Sequence, residues 1–461
     1  MLLAYYGDDF TGSTDVLESL AQRGIAAVLF VNPPSEEMLR QCPHVRAVGV
    51  AGHGRTMSPD EMEIELPKVF GALRRLCPAY CHYKTCSTFD SSPEVGSIGR
   101  AIDIGQRIFQ NRYVPLIVAA PALQRFCVFG NLFARSGLAS EVYRLDRHPT
   151  MRHHPVTPMR ESDLRLHLER QTARRVELVD VLALEEGFDA ASEQLARTAN
   201  EAGMVVLFDA LTDAHLTTIG KLLSAAQAQE GKTLFVAGSS GLEYALRDQW
   251  QMFGAIAEAS CQPANAFPTV SPVDRTLIVS GSCSPVTARQ IAWGSQHGFV
   301  ELPLDTPALA ESRRLDTDIS SEAQRIIAML KSGRSVMVHT SRGPDDPRIA
   351  ATRSAIGKDR RVVETLGTIM GRVLREVVRS RAVRRVAVIG GDTSGWVART
   401  LGIDALEFAA SLEPGAPLCT ARSRDEAIDG LEIVFKGGQV GYDDSFASLL
   451  RGSVESIGVG R

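Results

Sequence analysis

Short apolar runs alternate along the whole chain with stretches whose apolar positions recur at helical spacing. A strand of a parallel sheet is buried on both faces and reads as an unbroken apolar run, so this alternation predicts an α/β fold with largely parallel sheets. The runs predict strands over Leu2–Tyr6, Ala26–Val31, Arg46–Val50, Ala79–Tyr83, Leu116–Ala120, Val176–Val181, Val205–Asp209 and Leu234–Ala237. The regularity breaks between Gly254 and Asp274, where Pro263, Pro268 and Pro272 sit among Ala, Asn and Ser without helical period, the composition of a linker. A second series then follows, over Thr276–Ser280, Phe299–Leu304, Val336–Thr340, Arg385–Ile389 and Leu431–Phe435. The expected architecture is two domains, residues 1–265 and 266–461, each a mostly parallel sheet flanked by helices. No fixed-period repeat or low-complexity tract interrupts the pattern.

Composition agrees with this picture and excludes several classes. A chain of 461 residues is too long for one compact core. Hydrophobic residues at 44% and charged residues at 23% are ordinary for a globular enzyme and rule out a disordered chain. The formal charge of −4 offers no polyanion-binding surface, so nucleic acid is not an expected partner. No apolar run approaches the roughly 20 residues needed to cross a bilayer, so no membrane partner is expected either. Met1–Tyr6 runs straight into Gly7-Asp8-Asp9 without a basic leader or cleavage site and reads as a first strand, which places the chain in the cytoplasm. Of the eight cysteines, Cys77, Cys81 and Cys86 cluster with His82, but their spacing lacks the paired C-x2-C of zinc knuckles. Reduced thiols packed as small hydrophobes are the expectation. A homo-oligomer is compatible with the sequence.

In open α/β sheets ligands collect at the carboxyl ends of strands, and the polar clusters of this sequence fall there. The first, Gly7–Asp15, follows the first strand and opens a helix. A turn and helix cap would explain one Asp, Ser or Thr, but Asp8, Asp9 and Asp15 together exceed that need. Amides at the helix start suit an anion, and Asp8 and Asp9 suit proton acceptance from a hydroxyl or a divalent metal. The second cluster, Tyr83–Ser92, sets Lys84 beside Ser87, Thr88 and Asp90, which is either a solvated loop or a grip on an acidic, hydroxylated ligand. The third, His148–Met159, carries three histidines and three prolines next to Arg147 and Arg152, a stiff segment of the kind used in binding loops. No carboxylate or cysteine within it completes a tetrahedral zinc set. In the second domain, Ser280–Ser284, Gly390–Gly395 and Lys436–Gly441 each follow an apolar strand, and none matches the Walker or dinucleotide fingerprints. Each alone is an ordinary strand–helix turn. Three in one domain point to a nucleotide site, because glycine lets successive N–H groups approach a phosphate closely.

These stretches also carry a family resemblance. Gly7–Asp15 reads GDDFTGSTD, Lys84–Ser91 reads KTCSTFDS and His154–Met159 reads HPVTPM. With the three glycine loops of the second domain, they make the chain similar to the four-carbon acid sugar kinase family over nearly its whole length. The resemblance implies an N-terminal sugar-acid-binding domain, a C-terminal nucleotide-binding domain, and phosphoryl transfer from ATP with Mg²⁺ to a hydroxyl of a small sugar acid. It implies Asp8 and Asp9 as catalytic residues, with their roles as base or metal ligand left open and the metal ligands unassigned. It implies Thr11, Ser13, Asp15, Lys84, Ser87, Thr88, Asp90, Arg125 and His154 as substrate-binding residues, Lys84 and Arg125 facing the substrate carboxylate. It implies Ser282, Ser284, Gly390, Gly391, Asp392, Thr393, Ser394, Gly395, Lys436 and Gly438 around ATP or ADP. One segment departs from the family pattern. Where many members carry PAFPxxGRxxxxG, this chain has Ala120–Gly130, which keeps Arg125 and little else. That departure resembles the branch acting on the branched acid 3-oxo-isoapionate, beside the branch acting on 3-oxo-tetronate. Two rivals remain, an NAD-dependent sugar-acid dehydrogenase and a non-catalytic sugar-acid-binding protein. The first strand lacks the G-x-G-x-x-G that the dehydrogenase needs.

Overall fold

The structure is a computed structural model that describes residues 1–135, 141–154, 156–252, 270–357, 361–413 and 415–452. Residue 265, most of the proline-bearing stretch 254–274, and Pro155 of the histidine segment lie outside the described residues. The chain forms two compact units, Met1–Ala27 with Pro33–Cys261 and Val28–Asn32 with Gln262–Arg461.

The strands in chain order are β1 (Leu3–Gly7), β2 (Ala27–Phe30), β3 (Ala47–Ala51), β4 (Tyr80–Lys84), β5 (Tyr113–Ile117), β6 (Arg125–Val128), β7 (Asn131–Arg135), β8 (Val142–Arg144) and β9 (Val176–Val179). They continue as β10 (Met204–Phe208), β11 (Leu234–Gly238), β12 (Leu277–Ser280), β13 (Val300–Pro303), β14 (Val336–His339), β15 (Arg385–Ile389), β16 (Ala405–Glu413), β17 (Ala416–Arg422) and β18 (Glu432–Lys436). In the first unit the order β3-β1-β4-β11-β5-β10-β9 is parallel throughout. Strands β1, β3, β4, β5, β10 and β11 are buried at every position, the burial that continuous apolar runs require. Strand β5 starts earlier than the apolar run suggests, because it includes Pro115. Its pairing with β11 is confined to Leu116 and Ile117, so the missing proline N–H breaks no rung on that side.

Two features depart from the sequence expectation. A small antiparallel sheet, β6-β7-β8, occupies the stretch after Ala120. In the second unit β13-β14-β12-β15-β18 is parallel, but β17, β16 and β2 are added antiparallel. The β16–β17 hairpin has register shifts between Phe408 and Ala410 and between Ser411 and Glu413, which erase the alternation that would mark it in sequence. Strand β2, near the start of the chain, pairs Leu29 with Leu406 and Phe30 with Ala405.

Packing explains the rest. On one face of the first sheet Tyr6, Phe70, Tyr83, Phe109 and Phe235 form a chain of ring contacts, with Tyr6 and Tyr83 stacked at 6.0 Å and Phe109 and Phe235 at 5.3 Å. Such rings bury about 150–250 Å² each and dominate the core energetics. The second unit closes over Ile278, Met337, Ile389, Leu418, Val434 and Phe446. Arg385 is fully buried there, and its guanidinium reaches Glu432 at 2.8 Å and the carbonyls of Leu449 at 2.7 Å and Ser271 at 2.8 Å, so no donor end is stranded. Among the described residues no helix is long and apolar enough to cross a membrane. Because the main strands are parallel, each unit gathers its strand carboxyl ends at one edge, and the polar clusters stand on those edges.

Candidate active site

In the first unit, the helix Phe10–Ala21 begins at Asp9, whose Oδ1 accepts from the Gly12 amide at 2.8 Å. This is the ordinary side-chain cap of an orphan amide. A Cβ at Gly12 would fall 2.4 Å from Asp9 Oδ1 and 3.3 Å from Lys84 Nζ, so glycine is what lets the cap and the lysine share the space. The second carboxylate oxygen of Asp9 accepts from Thr11 Oγ1 at 2.9 Å and meets Arg55 Nη2 at 3.0 Å. Arg55 comes from the loop after β3, where its amide donates to the Asp8 carbonyl at 2.9 Å. Its other terminal nitrogen lies 3.6 Å from Asp90 Oδ2. One guanidinium thus links the first two sequence clusters.

Lys84 ends β4. Its ammonium donates to the Thr85 carbonyl at 3.0 Å and stands 3.8 Å from Asp15 Oδ2, which also accepts from Ser240 Oγ. Beyond it, Cys86 Sγ contacts Thr88 Oγ1 at 3.0 Å, and Thr88 donates to Asp90 Oδ1 at 2.8 Å. Phe89, between them, has φ of 56° and is fully buried, a left-handed conformation that few non-glycine residues adopt. Its burial locks the turn that aims Thr88 and Asp90. Arg125 opens β6 and donates to the carbonyls of Leu123, Gln124 and Arg135 at 3.1, 3.1 and 3.3 Å. Asp209 holds the tip of that hairpin by accepting from the amides of Phe129 at 2.6 Å and Gly130 at 2.9 Å.

The charges differ in character. Burial and the neighbouring Asp9 charge push Asp8 up to about 8, against the pull of Arg55 and Lys84, and its Oδ1 is buried with no hydrogen-bond partner among the described residues. Burial also raises Asp9, but the Arg55 and Lys84 charges and the bonds from Thr11 and Gly12 outweigh it and hold the carboxyl below the usual range. For Lys84 the downward effect of burial is overcome by Asp15, Asp9 and Asp8, so its ammonium is held above the ordinary value. Burial pushes Cys86 up to about 11, with Asp90 adding to it. Burial lowers Arg125, and Cys86 and Asp90 act on it in the opposite sense, which places it within electrostatic reach of the cluster.

The structure therefore brings together Asp8, Asp9, Thr11, Asp15, Lys84, Thr88, Asp90 and, at longer range, Arg125. Ser87 is half-buried on the same turn, with no hydrogen bond among the described residues. Two expected ligands are used elsewhere. Ser13 is buried in the helix, and its hydroxyl donates to the Asp9 carbonyl at 2.7 Å. His154 uses Nδ1 to accept from the Thr157 amide at 3.0 Å and makes no hydrogen bond or ion pair with the carboxylate cluster among the described residues. Arg55 and Ser240 escaped the sequence reading. The signal for Arg55 was present, since Gly52-His53-Gly54-Arg55 is also a polar glycine turn after an apolar strand.

In the second unit, the ends of β12, β15 and β18 are neighbours, and their loops interlock. Thr287 Oγ1 lies 3.0 Å from Ser282 Oγ and 2.9 Å from the Gly438 carbonyl, while the Gly390 amide donates to the Lys436 carbonyl at 2.9 Å. Ser284 caps the helix Pro285–Gln296 through the Val286 amide at 3.1 Å. Gly390 has φ of 128°, and a Cβ there would meet Thr393 Oγ1 at 2.6 Å, so the glycine requirement falls on Gly390 and not on Gly391, the first residue of the helix Gly391–Leu401. Thr393 and Ser394 turn their hydroxyls back to the Gly390 carbonyl at 3.1 and 2.7 Å, and Gly395 is buried within the helix. These three serve the turn, which leaves the Gly390–Gly391 backbone and the exposed Asp392 at its face. Lys436 is buried. Its ammonium donates to Gln290 Oε1 at 2.9 Å and the Val440 carbonyl at 2.5 Å, and burial pushes it down to about 8 against the pull of Glu413. It braces the glycine loop from within.

A parallel α/β unit with carboxylates and cations at its strand ends, in one chain with a second whose strand ends carry glycine turns and helix starts, defines a protein of small anionic metabolites. Residues 3–246 match the sugar-binding N-terminal domain model and residues 277–446 the nucleotide-binding C-terminal domain model. The chain belongs to the four-carbon acid sugar kinase family. It is 47% identical to a 3-oxo-isoapionate kinase of Paraburkholderia graminis, over 98% of this chain and 94% of that one. It is 28% identical to a 3-oxo-tetronate kinase of Pectobacterium atrosepticum, over 96% and 97% of the two chains. A crystal structure from Salmonella typhimurium LT2, provisionally described as a tRNA synthase, superposes with a TM-score of 0.75 at 25% identity, over 97% of this chain and 98% of that one.

Proposed function

We propose that this protein is a kinase that transfers the γ-phosphoryl group of ATP to a hydroxyl of a small sugar acid, with 3-oxo-isoapionate as that acid. The observation that carries this reading is the 47% identity to a 3-oxo-isoapionate kinase across 98% of the chain. The site supports it by setting cations for a carboxylate beside hydroxyl-reading groups. In this reading residues 1–265 bind the sugar acid, residues 266–461 bind the nucleotide, and the enzyme works in the cytoplasm.

Lys84 and Arg125 take the substrate carboxylate together with Arg55, and Ser87, Thr88 and Asp90 read its hydroxyls. Asp8 is the base. Its Oδ1 has no hydrogen-bond partner among the described residues, and a carboxyl held near 8 is a far better proton acceptor than an ordinary one. Asp9, fully engaged by Gly12, Thr11 and Arg55, orients the others. The acceptor oxygen attacks Pγ, its proton passes to Asp8, the bond from Pγ to the bridging oxygen breaks, and ADP leaves. The Gly391 amide and the Ser282–Ser284 turn hold phosphates at helix starts. Among the described residues no group of three or more His, Cys, Asp or Glu could hold a metal ion. Were Mg²⁺ bound with the nucleotide, Asp392 would be the carboxylate that holds it. The ion would supply charge neutralisation at the transferring group.

A coupled assay of ADP release against 3-oxo-isoapionate, 3-oxo-tetronates and the corresponding reduced acids tests this. ADP should appear only with an acid present, and fastest with the branched 3-oxo acid. Nicotinamide reduction, or acid binding with no ADP release, would move the assignment to the dehydrogenase or the binding protein.

A further inference from the structure

Behind Lys84, a second charged pair is sealed away from solvent and takes no part in the site described above. His82 lies two residues earlier in β4, on the same face of the strand, and is fully buried. Its Nδ1 is 2.8 Å from Glu243 Oε1, and its Nε2 is 3.1 Å from the Gly238 carbonyl. Both partners are oxygens, a carboxyl and a carbonyl, so the ring spans two buried oxygen groups. Glu243 is also fully buried, in the first turn of the helix Gly241–Met252, and its Oε2 has no hydrogen-bond partner among the described residues. Burial raises this carboxyl, but the His82 and Lys84 charges outweigh it and keep the group below the ordinary value.

The bond from His82 to the Gly238 carbonyl leads to a group that holds Lys84. The Gly238 carbonyl that receives His82 also receives the Thr85 amide at 2.6 Å, and the Thr85 carbonyl receives the Lys84 ammonium at 3.0 Å. Ser240, between Gly238 and Glu243, donates to the Asp15 carboxylate. A buried ion pair is a weak source of stability, because desolvation cancels much of its attraction.

We propose that the Glu243–His82 pair is a positioning unit that fixes Lys84 and Asp15 for the sugar acid. It acts through the shared Gly238 carbonyl and through the field of the Glu243 carboxylate. This proposal rests on the kinase reading above. The other charged or titratable groups within electrostatic reach of Glu243 are Lys84 from β4, Arg23 just after the helix Phe10–Ala21, and Tyr244 beside Glu243. All of them stay in place in the test variants.

The test compares wild type, E243Q and the double variant H82Q/E243Q for the KM of the acid, kcat, the acid-induced melting shift and the ADP-induced melting shift. E243Q should raise the KM for the acid by about tenfold or more while kcat and the ADP shift stay near wild type. H82Q/E243Q, which leaves no unpaired charge, should recover the melting temperature but not the KM. A purely structural pair would lower the melting temperature and leave KM alone. KM values at the wild-type level in both variants, or loss of a cooperative melt in both, would overturn the proposal. If wild type releases no ADP with any acid, the kinase reading falls. The positioning role is then decided by the acid-induced melting shift, which E243Q should lose if the role holds and keep if it does not.

Discussion

Asp8 and Asp9 are neighbours of one type, yet their surroundings separate them. Asp9 is capped, bonded and paired, so its carboxylate is an ordinary anion. Asp8 is buried beside that anion and is driven up to about 8. If Asp8 is the base, Asp8→Asn should lower kcat by roughly 10²–10⁴-fold with little change in the KM of the acid. The wild-type kcat/KM should rise with pH to a plateau above about 8, since the active form is the deprotonated one, and the variant should lose that limb. Stability should move in the opposite sense. A carboxyl whose folded value lies above its unfolded value binds its proton more tightly in the native state, so stability falls as pH rises from about 4 through about 8. Asp8→Asn should therefore melt higher than wild type at pH 9 and about equally below about pH 4. A variant with full kcat would pass the role to Asp90. Arg55 gives the second residue-scale expectation. Arg55→Ala strips a partner from both Asp9 and Asp90 and from an incoming carboxylate, and should cost about 2–5 kcal/mol in kcat/KM for the acid. Unchanged efficiency would show that Arg55 only ties the loops together.

At the scale of elements, function rests on how helices start. The helix Phe10–Ala21 opens on a side-chain cap, whereas Gly391–Leu401 opens on a glycine whose φ of 128° admits no other residue without strain. Gly390→Val should therefore abolish the ADP-induced rise in melting temperature, because binding to the native state alone is what produces such a rise. Thr393→Ala, which loses one hydroxyl returned to the Gly390 carbonyl at 3.1 Å, should reduce that rise only in part. Full protection of the valine variant by ADP would remove this turn from the nucleotide site.

For the molecule as a whole, chain order and spatial unit do not coincide. Residues Val28–Asn32 belong to the second unit, where β2 completes the edge of β16. A fragment covering residues 270–461 would leave Ala405–Glu407 as an open edge, and open edges recruit other strands. That fragment should associate in size-exclusion chromatography and melt lower than the same fragment supplied with a peptide spanning residues 26–33. Equal melting with and without the peptide would show that β2 adds nothing to the second unit. If the fragment keeps an ADP shift, the nucleotide assignment stands independently of the sugar-acid half.

Apolar runs and strand-end polar turns were enough to predict two series of parallel strands, and the position of GDDFTGSTD, KTCSTFDS and the glycine loops at their ends. Those signals are local. A run of buried side chains needs no knowledge of its partners to read as a buried strand, and a turn residue declares its own backbone. What pairs at long range was decided only in the tertiary structure. Arg55 meets Asp9 and Asp90 across three separate loops, Asp15 meets Ser240 from the far end of its unit, and β2 is claimed by β16 rather than left with the unit that precedes it in sequence. The split between Asp8 and Asp9 belongs to the same class. Burial and the charges of Arg55 and Lys84 set it, and neither exists until the chain has folded.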